Sequence, residues 1–326
     1  MANKTTANFI GVSDAYSGTS GAWSITEARE RILSSVHGEN WGRVAFNVDF
    51  LVIGGGGGSG RSSYVAHGGG GAGGYLNSFG SESSGANSAG LAGKNVFANE
   101  DFTVTVGAGG AVGANGSNSV FSGTDKSRNI FTLTAIGGGR GGDAQDAGDG
   151  GSGGGAGNDW QRTATTTTSS DSGNGTANQG SDGGDVSGVI TPANANVCNI
   201  FGTANFCDNG NSTLAGGGGG GAGGAASSST GGAGLASSIT GTSVTRAGGG
   251  AGLINGTAGT NGTGQDQAGG GGANSAGNNG TVILRYPNTF TISFSASDLT
   301  GSTATDGSDK VTTFTAGSGT VSWSLS

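Results

Sequence analysis

The sequence predicts a chain that is mostly irregular and β: a bundle of polyglycine II helices capped by short β-strands, with a short N-terminal α-helix and a small C-terminal β module. Three observations predict it. Glycine supplies 77 of the 326 residues, several times the usual ~7%. The glycines fall in eight separated runs, at 54–58, 68–74, 107–110, 137–142, 148–157, 216–224, 248–252 and 269–272. One flexible linker needs only one Gly/Ser tract, so such runs imply a repeated structural unit. The apolar residues, finally, gather where these runs begin or end.

Composition narrows the alternatives. Phe, Val, Ile and Leu make up about 17% of the chain, below the ~20% under which disorder becomes the default, and this argues against a conventional apolar core. Charged residues are only 10%, with a net charge of −8, whereas chains held open by self-repulsion are charge-rich. Two prolines, and glycines that do not fall strictly at every third position, exclude collagen.

Residues 1–43 read as a helical attachment segment. Ile25, Ala28, Ile32, Leu33 and Val36 share helical spacing, Ser24 to Glu27 forms a capping box, and Gly38 suits the stop. Trp23 and Trp41 bracket this helix. Too short to stand alone, it must bury its apolar side on its own domain or on a partner.

Residues 44–287 form the glycine-rich domain. Strands are expected at 46–53 (FNVDFLVI), 102–106 (FTVTV), 130–136 (IFTLTAI) and 281–286 (TVILRY), the last closed by Pro287. Between them, polyglycine can take the extended three-residue helix of polyproline II while keeping its N–H donors, so neighbouring rods can bond to one another. Without Cβ atoms the backbones approach closely, at a large entropic cost that the strands must offset by holding the rods in register. Segments 76–100, 158–182, 186–214 and 225–246, rich in Ser, Thr, Asn and Ala, read as loops. Residues 288–326 form the C-terminal β module.

Few motifs carry chemistry. The stretch FLVIGGGGGSGRS enters a glycine cluster from a strand, as phosphate sites do, but no helix follows, and Arg61 stands where a P-loop has lysine. Asp143, Asp146 and Asp149 recur every third residue, which in a three-residue helix makes a row too widely spaced to share one calcium ion and reads as a solvated acidic edge. His37 and His67 lack partners for zinc or a triad. Cys198 and Cys207 are compatible with reduced thiols or with one loop-closing bridge. A pI near 4.6 without a basic stripe argues against nucleic acid and anionic membrane as partners. The N-terminus MANKTTANFIG lacks a signal-peptide core, and no apolar stretch is long enough to span a bilayer, so synthesis in a cytoplasm without signal-peptide export is expected. No cofactor, metal or enzymatic activity is expected.

What remains are aromatics in polar loops: Tyr64, Phe79, Trp160, Phe201 and Phe206. Each is either an anchor that pins its loop or part of a contact surface for sugar or protein.

In order along the chain, VDFLVIGGGGGSG, GGGGAGGYLNS, FTVTVGAGG and GTVILRYP resemble the glycine-rich domain of bacteriophage tail-fibre and receptor-binding proteins. GAWSITEARERILSS followed by Trp41 is similar to the Trp-bracketed segment at the head of many phage virion proteins, with Gly42 where that pattern usually has proline. KVTTFTAGSGTVSW is similar to a β motif that accompanies these domains. The resemblance implies a polyglycine-helix bundle capped by strands, as in the adhesins at the fibre tips of T-even-like phages, whose inter-rod loops contact the host receptor. It implies a virion protein, with Tyr64, Trp160, Phe201 and Phe206 as candidate receptor contacts. Trp23, Ile25, Ile32, Leu33, Val36 and Trp41 are then candidates for attachment to other virion proteins. No catalytic or metal residue carries over. Two alternatives stand beside it: a purely structural tail, baseplate or capsid-decoration fibre, and an ice-binding protein, which should repeat Thr or Ala along several rods where this chain has one tract, Thr163 to Thr168.

Overall fold

A computed structural model of the chain describes residues 10–13, 20–23, 43–61, 67–143, 146–157, 171–185, 215–254, 257–264 and 274–326. The chain divides into two compact units, Met1–Ala45 and Phe46–Ser326. In the first, strands β1 (Ile10–Ser13) and β2 (Ser20–Trp23) pair antiparallel with Ile10 opposite Trp23. The helix expected over Ser24–Val36, and Trp41, lie outside the described residues.

The second unit is built on strands. Alternation makes β3 (Ala45–Ile53) bury Phe46, Val48, Phe50 and Val52 on one face, while Leu51 and Ile53 are buried on the other. Tyr75–Asn77 forms β4, Lys94–Phe97 β5, Asp101–Thr105 β6, Ser119–Thr124 β7 and Ile130–Ala135 β8. Four short strands follow in two antiparallel pairs, β9 (Leu235–Ser237) with β10 (Val244–Arg246) and β11 (Leu253–Ile254) with β12 (Thr257–Ala258). Then come β13 (Thr281–Pro287), β14 (Phe290–Phe294), β15 (Leu299–Asp306) and the 17-residue β16 (Asp309–Leu325). The sheet has ten strands in the order β4-β3-β13-β16-β6-β7-β8, with β14 and β15 on β16 and β5 on β3.

Strand β16 gives this sheet its shape. Its first half pairs with β13 and β15, and its second half pairs with β6 and β14. Lys310, near its start, places Nζ 3.3 Å from Ser326 Oγ, just beyond its end, so the strand doubles back and carries the chain from one sheet layer to the other. The reversal sits at Gly317, whose φ of 95° is closed to most side chains. Between the layers Trp323 packs edge-on against Phe102 at 5.1 Å, and against Phe46 and Tyr286 at 5.7 Å. Phe50, Phe121, Phe131 and Phe314 complete this core.

The expected fold class is therefore corrected. The regular structure is a nearly closed antiparallel β-barrel-like sheet rather than short strands capping a bundle of polyglycine II helices. Among the described residues there is no α-helix, and the one helical turn is the three-residue Gly85–Asn87. The C-terminal residues are not a small appended module but the centre of the sheet. An apolar core was discounted on composition, yet two clusters form: one gathers Phe50, Phe102, Phe314 and Trp323, and in the other Leu51 and Ile53, on the opposite face of β3, join Tyr75, Ile239 and Ile283. The strands expected at 46–53, 102–106, 130–136 and 281–286 are present as β3, β6, β8 and β13.

Four glycine runs, 54–58, 68–74, 107–110 and 137–142, adjoin β3, β4, β6 and β8 at one end of this barrel. Gly54, Gly74 and Ile136 meet there: Gly54 N–H donates to the Gly74 carbonyl at 3.0 Å, and Gly74 N–H to Ile136 at 2.7 Å. Farther out each N–H goes to another segment: Gly55 to Ser117, Gly56 to Asn278, Gly57 to Gly71 and Gly58 to Ala114. The segments lie so close that a Cβ on Gly57 would overlap the Gly139 carbonyl and one on Gly219 the Gly70 carbonyl.

Candidate functional site

The far level of the glycine region is held by a chain of main-chain bonds. Gly60 donates to Gly68, Gly68 to Gly142, and Gly142 to Gly155, at 2.8 to 2.9 Å. Ala156 donates to Gly184, Gly217 to Ala156, Gly216 to Leu253, and Leu253 to the carbonyl of His67 at 3.0 Å. Residues from seven segments thus share one layer, six or so residues out from the sheet. The chain leaves it after Arg61, Gly157 and Asp185, and is described again from His67, Asp171 and Ala215. A backbone lattice of this kind is a rigid support, since ordering it has already cost the entropy of its glycines.

The flank of this layer is acidic and its carboxylates pin the returning chain. Asp149 Oδ1 accepts from the N–H of Asn174 at 2.6 Å and from its side-chain amide at 3.2 Å. Asp146 Oδ1 accepts from Asp171 N–H at 3.3 Å, Asp182 from Gly175 N–H at 2.8 Å, and Asp185 from the Ser172 hydroxyl at 2.8 Å. Asp146 and Asp149 are exposed while they do this. Among the described residues no group of three or more His, Cys, Asp or Glu side chains is placed to hold a metal ion.

His67 is the exception in this layer. It is fully buried, and neither ring nitrogen has a hydrogen-bond partner. Burial pushes its pKa below the ordinary 6.5, against the pull of the Gly68 backbone and of Asp143. A neutral imidazole is thus locked among glycine backbones.

The phosphate-loop reading of FLVIGGGGGSG fails on geometry. The N–H groups of Gly54 to Gly58 and of Gly60 are all spent on carbonyls of other segments, and these residues are buried, so none is left to cradle a phosphate.

Of the residues singled out from sequence, Tyr64, Trp160, Phe201 and Phe206 lie outside the described residues, as do Ile25, Ile32, Leu33, Val36, Trp41, Cys198 and Cys207. Trp23 closes β2. Phe79 is an internal anchor, with the Arg285 guanidinium 5.1 Å from its ring centre. Arg285 in turn bonds Asp306 at 2.7 Å, Asp309 at 2.9 Å and the Ile239 carbonyl at 3.1 Å. Gln179, which sequence reading passed over inside a polar segment, bonds both β4 and β8. Its long amide among small residues was the only signal.

A family model described as a glycine-rich domain matches residues 40–287, about three quarters of the chain. The chain belongs to this glycine-rich domain family. The match spans β3 to β13 and every glycine run. The description names a glycine-rich domain and does not name a phage fibre. No curated protein matches the chain.

Proposed function

We propose that this glycine-rich domain protein is a non-enzymatic fibre or fibre-tip protein of a tailed bacteriophage that presents the segments 62–66, 158–170 and 186–214 to a receptor on the host surface. One observation carries the reading: the described residues that flank these three segments, Arg61 and His67, Gly157 and Asp171, Asp185 and Ala215, belong to or adjoin the far part of one backbone-bonded lattice. Recognition is favoured where variable segments are mounted on a rigid scaffold, because less ordering is lost on binding. Tyr64, Trp160, Phe201 and Phe206, all within those segments, are the proposed contacts, since aromatics dominate binding hot spots. Residues 1–43, with Trp23, Ile25, Ile32, Leu33, Val36 and Trp41, are the proposed attachment to other virion proteins.

The test is adsorption of the purified chain to intact host cells. Replacing Trp160, Phe201 and Phe206 together by alanine is expected to weaken adsorption by ~2 kcal/mol or more with little change in melting temperature. Undiminished adsorption by a folded triple variant would favour a purely structural fibre. Unfolding would show that these aromatics are internal anchors.

A further inference from the structure

Among the described residues five strands of this sheet pair on one side only, β4, β5, β8, β14 and β15, and they are not equally protected: β5 carries Lys94, and its Asn95 carbonyl takes the N–H of Lys126. β4 and β8 are tied to one another through Gln179 and through the Gly74 to Ile136 bond. On the short β14, Lys310 Nζ stands 2.8 Å from the Phe290 carbonyl. β15 has none of this. Among the described residues it pairs only with β16, and Thr300, Ser302, Thr303, Ala304 and Thr305 are exposed. It contains no lysine, arginine or proline to keep the edge from pairing, and its one irregularity, between Thr300 and Gly301, leaves Gly301–Asp306 regular.

The edge is also rigid. After a register shift between Thr300 and Gly301, residues Gly301–Asp306 run in unbroken register with β16. Thr303 Oγ1 lies 2.8 Å from Thr312 Oγ1, which meets Tyr286 Oη at 2.9 Å. The single charge of the strand, Asp306, is held by Arg285 at 2.7 Å.

The charge balance selects the occupant. With a net charge of −8, copies of this chain repel one another over most of their surface. Thr300–Thr305 is a neutral stretch on which two copies can approach without facing carboxylates, and its small hydroxyl-bearing and alanine side chains are compatible with their own antiparallel repeat. We propose that β15 is a self-association edge: two copies join β15 to β15, antiparallel about a two-fold axis, and so continue the sheet from one to the other. This does not depend on the receptor-binding reading.

Sedimentation velocity of the full chain over a concentration series tests it. The wild type is expected to shift from monomer to dimer as concentration rises. Ser302→Lys with Ala304→Lys, which sets four ammonium groups across the same axis, is expected to stay monomeric with an unchanged melting temperature, while Ser324→Lys, on the other sheet layer, still dimerises. In case the lysine variant does not fold, Ser302→Cys under mild oxidation should give a covalent dimer above the background set by Cys198 and Cys207. A wild type that remains monomeric throughout, a folded lysine variant that dimerises as well as wild type, or a cysteine variant that gives no dimer above background would each overturn the proposal.

Discussion

The main-chain N–H of Ile136, one residue past β8, donates to the side-chain oxygen of Gln179 at 2.9 Å. The amide nitrogen of Gln179 donates to the Thr134 carbonyl at 3.2 Å, and its own carbonyl takes the N–H of Tyr75 in β4 at 2.9 Å. β4 and β8 are the two ends of the strand path, so Gln179, together with the Gly74 to Ile136 bond, closes a barrel that its strands do not quite close.

Gln179→Ala removes both side-chain bonds and leaves the partly buried Ile136 N–H unpaired. A loss of ~1 to 3 kcal/mol is expected in urea unfolding, the cost of an unsatisfied buried donor. Faster hydrogen exchange at Ile136 should accompany it. An unchanged midpoint with unchanged exchange would mean that the ladder, not Gln179, closes the sheet.

The glycine region predicts a contrast between two positions five residues apart. A Cβ at Gly219 would overlap the Gly70 carbonyl, whereas one at Gly224 has nothing within 4 Å. Gly219→Ala should cost about 3 kcal/mol or more, and Gly219→Val should abolish folding, since backbone on several sides cannot yield. Gly224→Ala should stay within ~0.5 kcal/mol of wild type. Equal melting temperatures for the two alanine variants would refute close packing of these segments.

Gly317 and Gly307 make a second pair. Both have positive φ, 95° and 60°, but a Cβ at Gly317 would also overlap the Asp298 carbonyl, whereas Gly307 is open. Gly307→Asn should be nearly neutral, because asparagine tolerates the left-handed region. Gly317→Ala should cost ~2 kcal/mol or more and red-shift the emission of the buried Trp323, since the doubling-back of β16 places that ring in the core. Intact Trp323 emission in Gly317→Ala would show that the strand reverses without needing this glycine.

His67 sets a pH dependence whose sign follows from its depressed pKa. The folded state keeps the ring neutral, while the unfolded chain takes up a proton near the ordinary 6.5. Its contribution is therefore fully present above about pH 6.5 and is lost as pH falls through the folded value. Melting temperatures of wild type and His67→Gln, compared from pH 8 down to 5, should converge on acidification as the wild type loses this term. Parallel curves would mean that His67 keeps the same proton affinity in both states.

The sequence by itself determined where four of the strands lie, β3, β6, β8 and β13, and where side chains are excluded. FNVDFLVI and TVILRY are readable because apolar patterning is a local signal, the first ending at the glycine that starts a run and the second at Pro287. The exposed carboxylates of Asp146 and Asp149 were legible from their spacing. Of the candidate site, the segments were legible as departures from glycine, but not their common base.

Only the tertiary structure decided the rest. Composition argued against an apolar core, because a count of Phe, Val, Ile and Leu does not record that strand pairing gathers them into two buried clusters, one on each face of β3. Ser/Thr-rich stretches such as LTGSTATD and the end of β16 read as an appendage, although β16 is the strand on which four others pair. The partner of each glycine N–H, the doubling-back at Gly317 and the closure by Gln179 all join residues far apart in the chain. A glycine carries no side chain to mark its neighbour, so which backbones meet is settled only when the strands bring the segments into register.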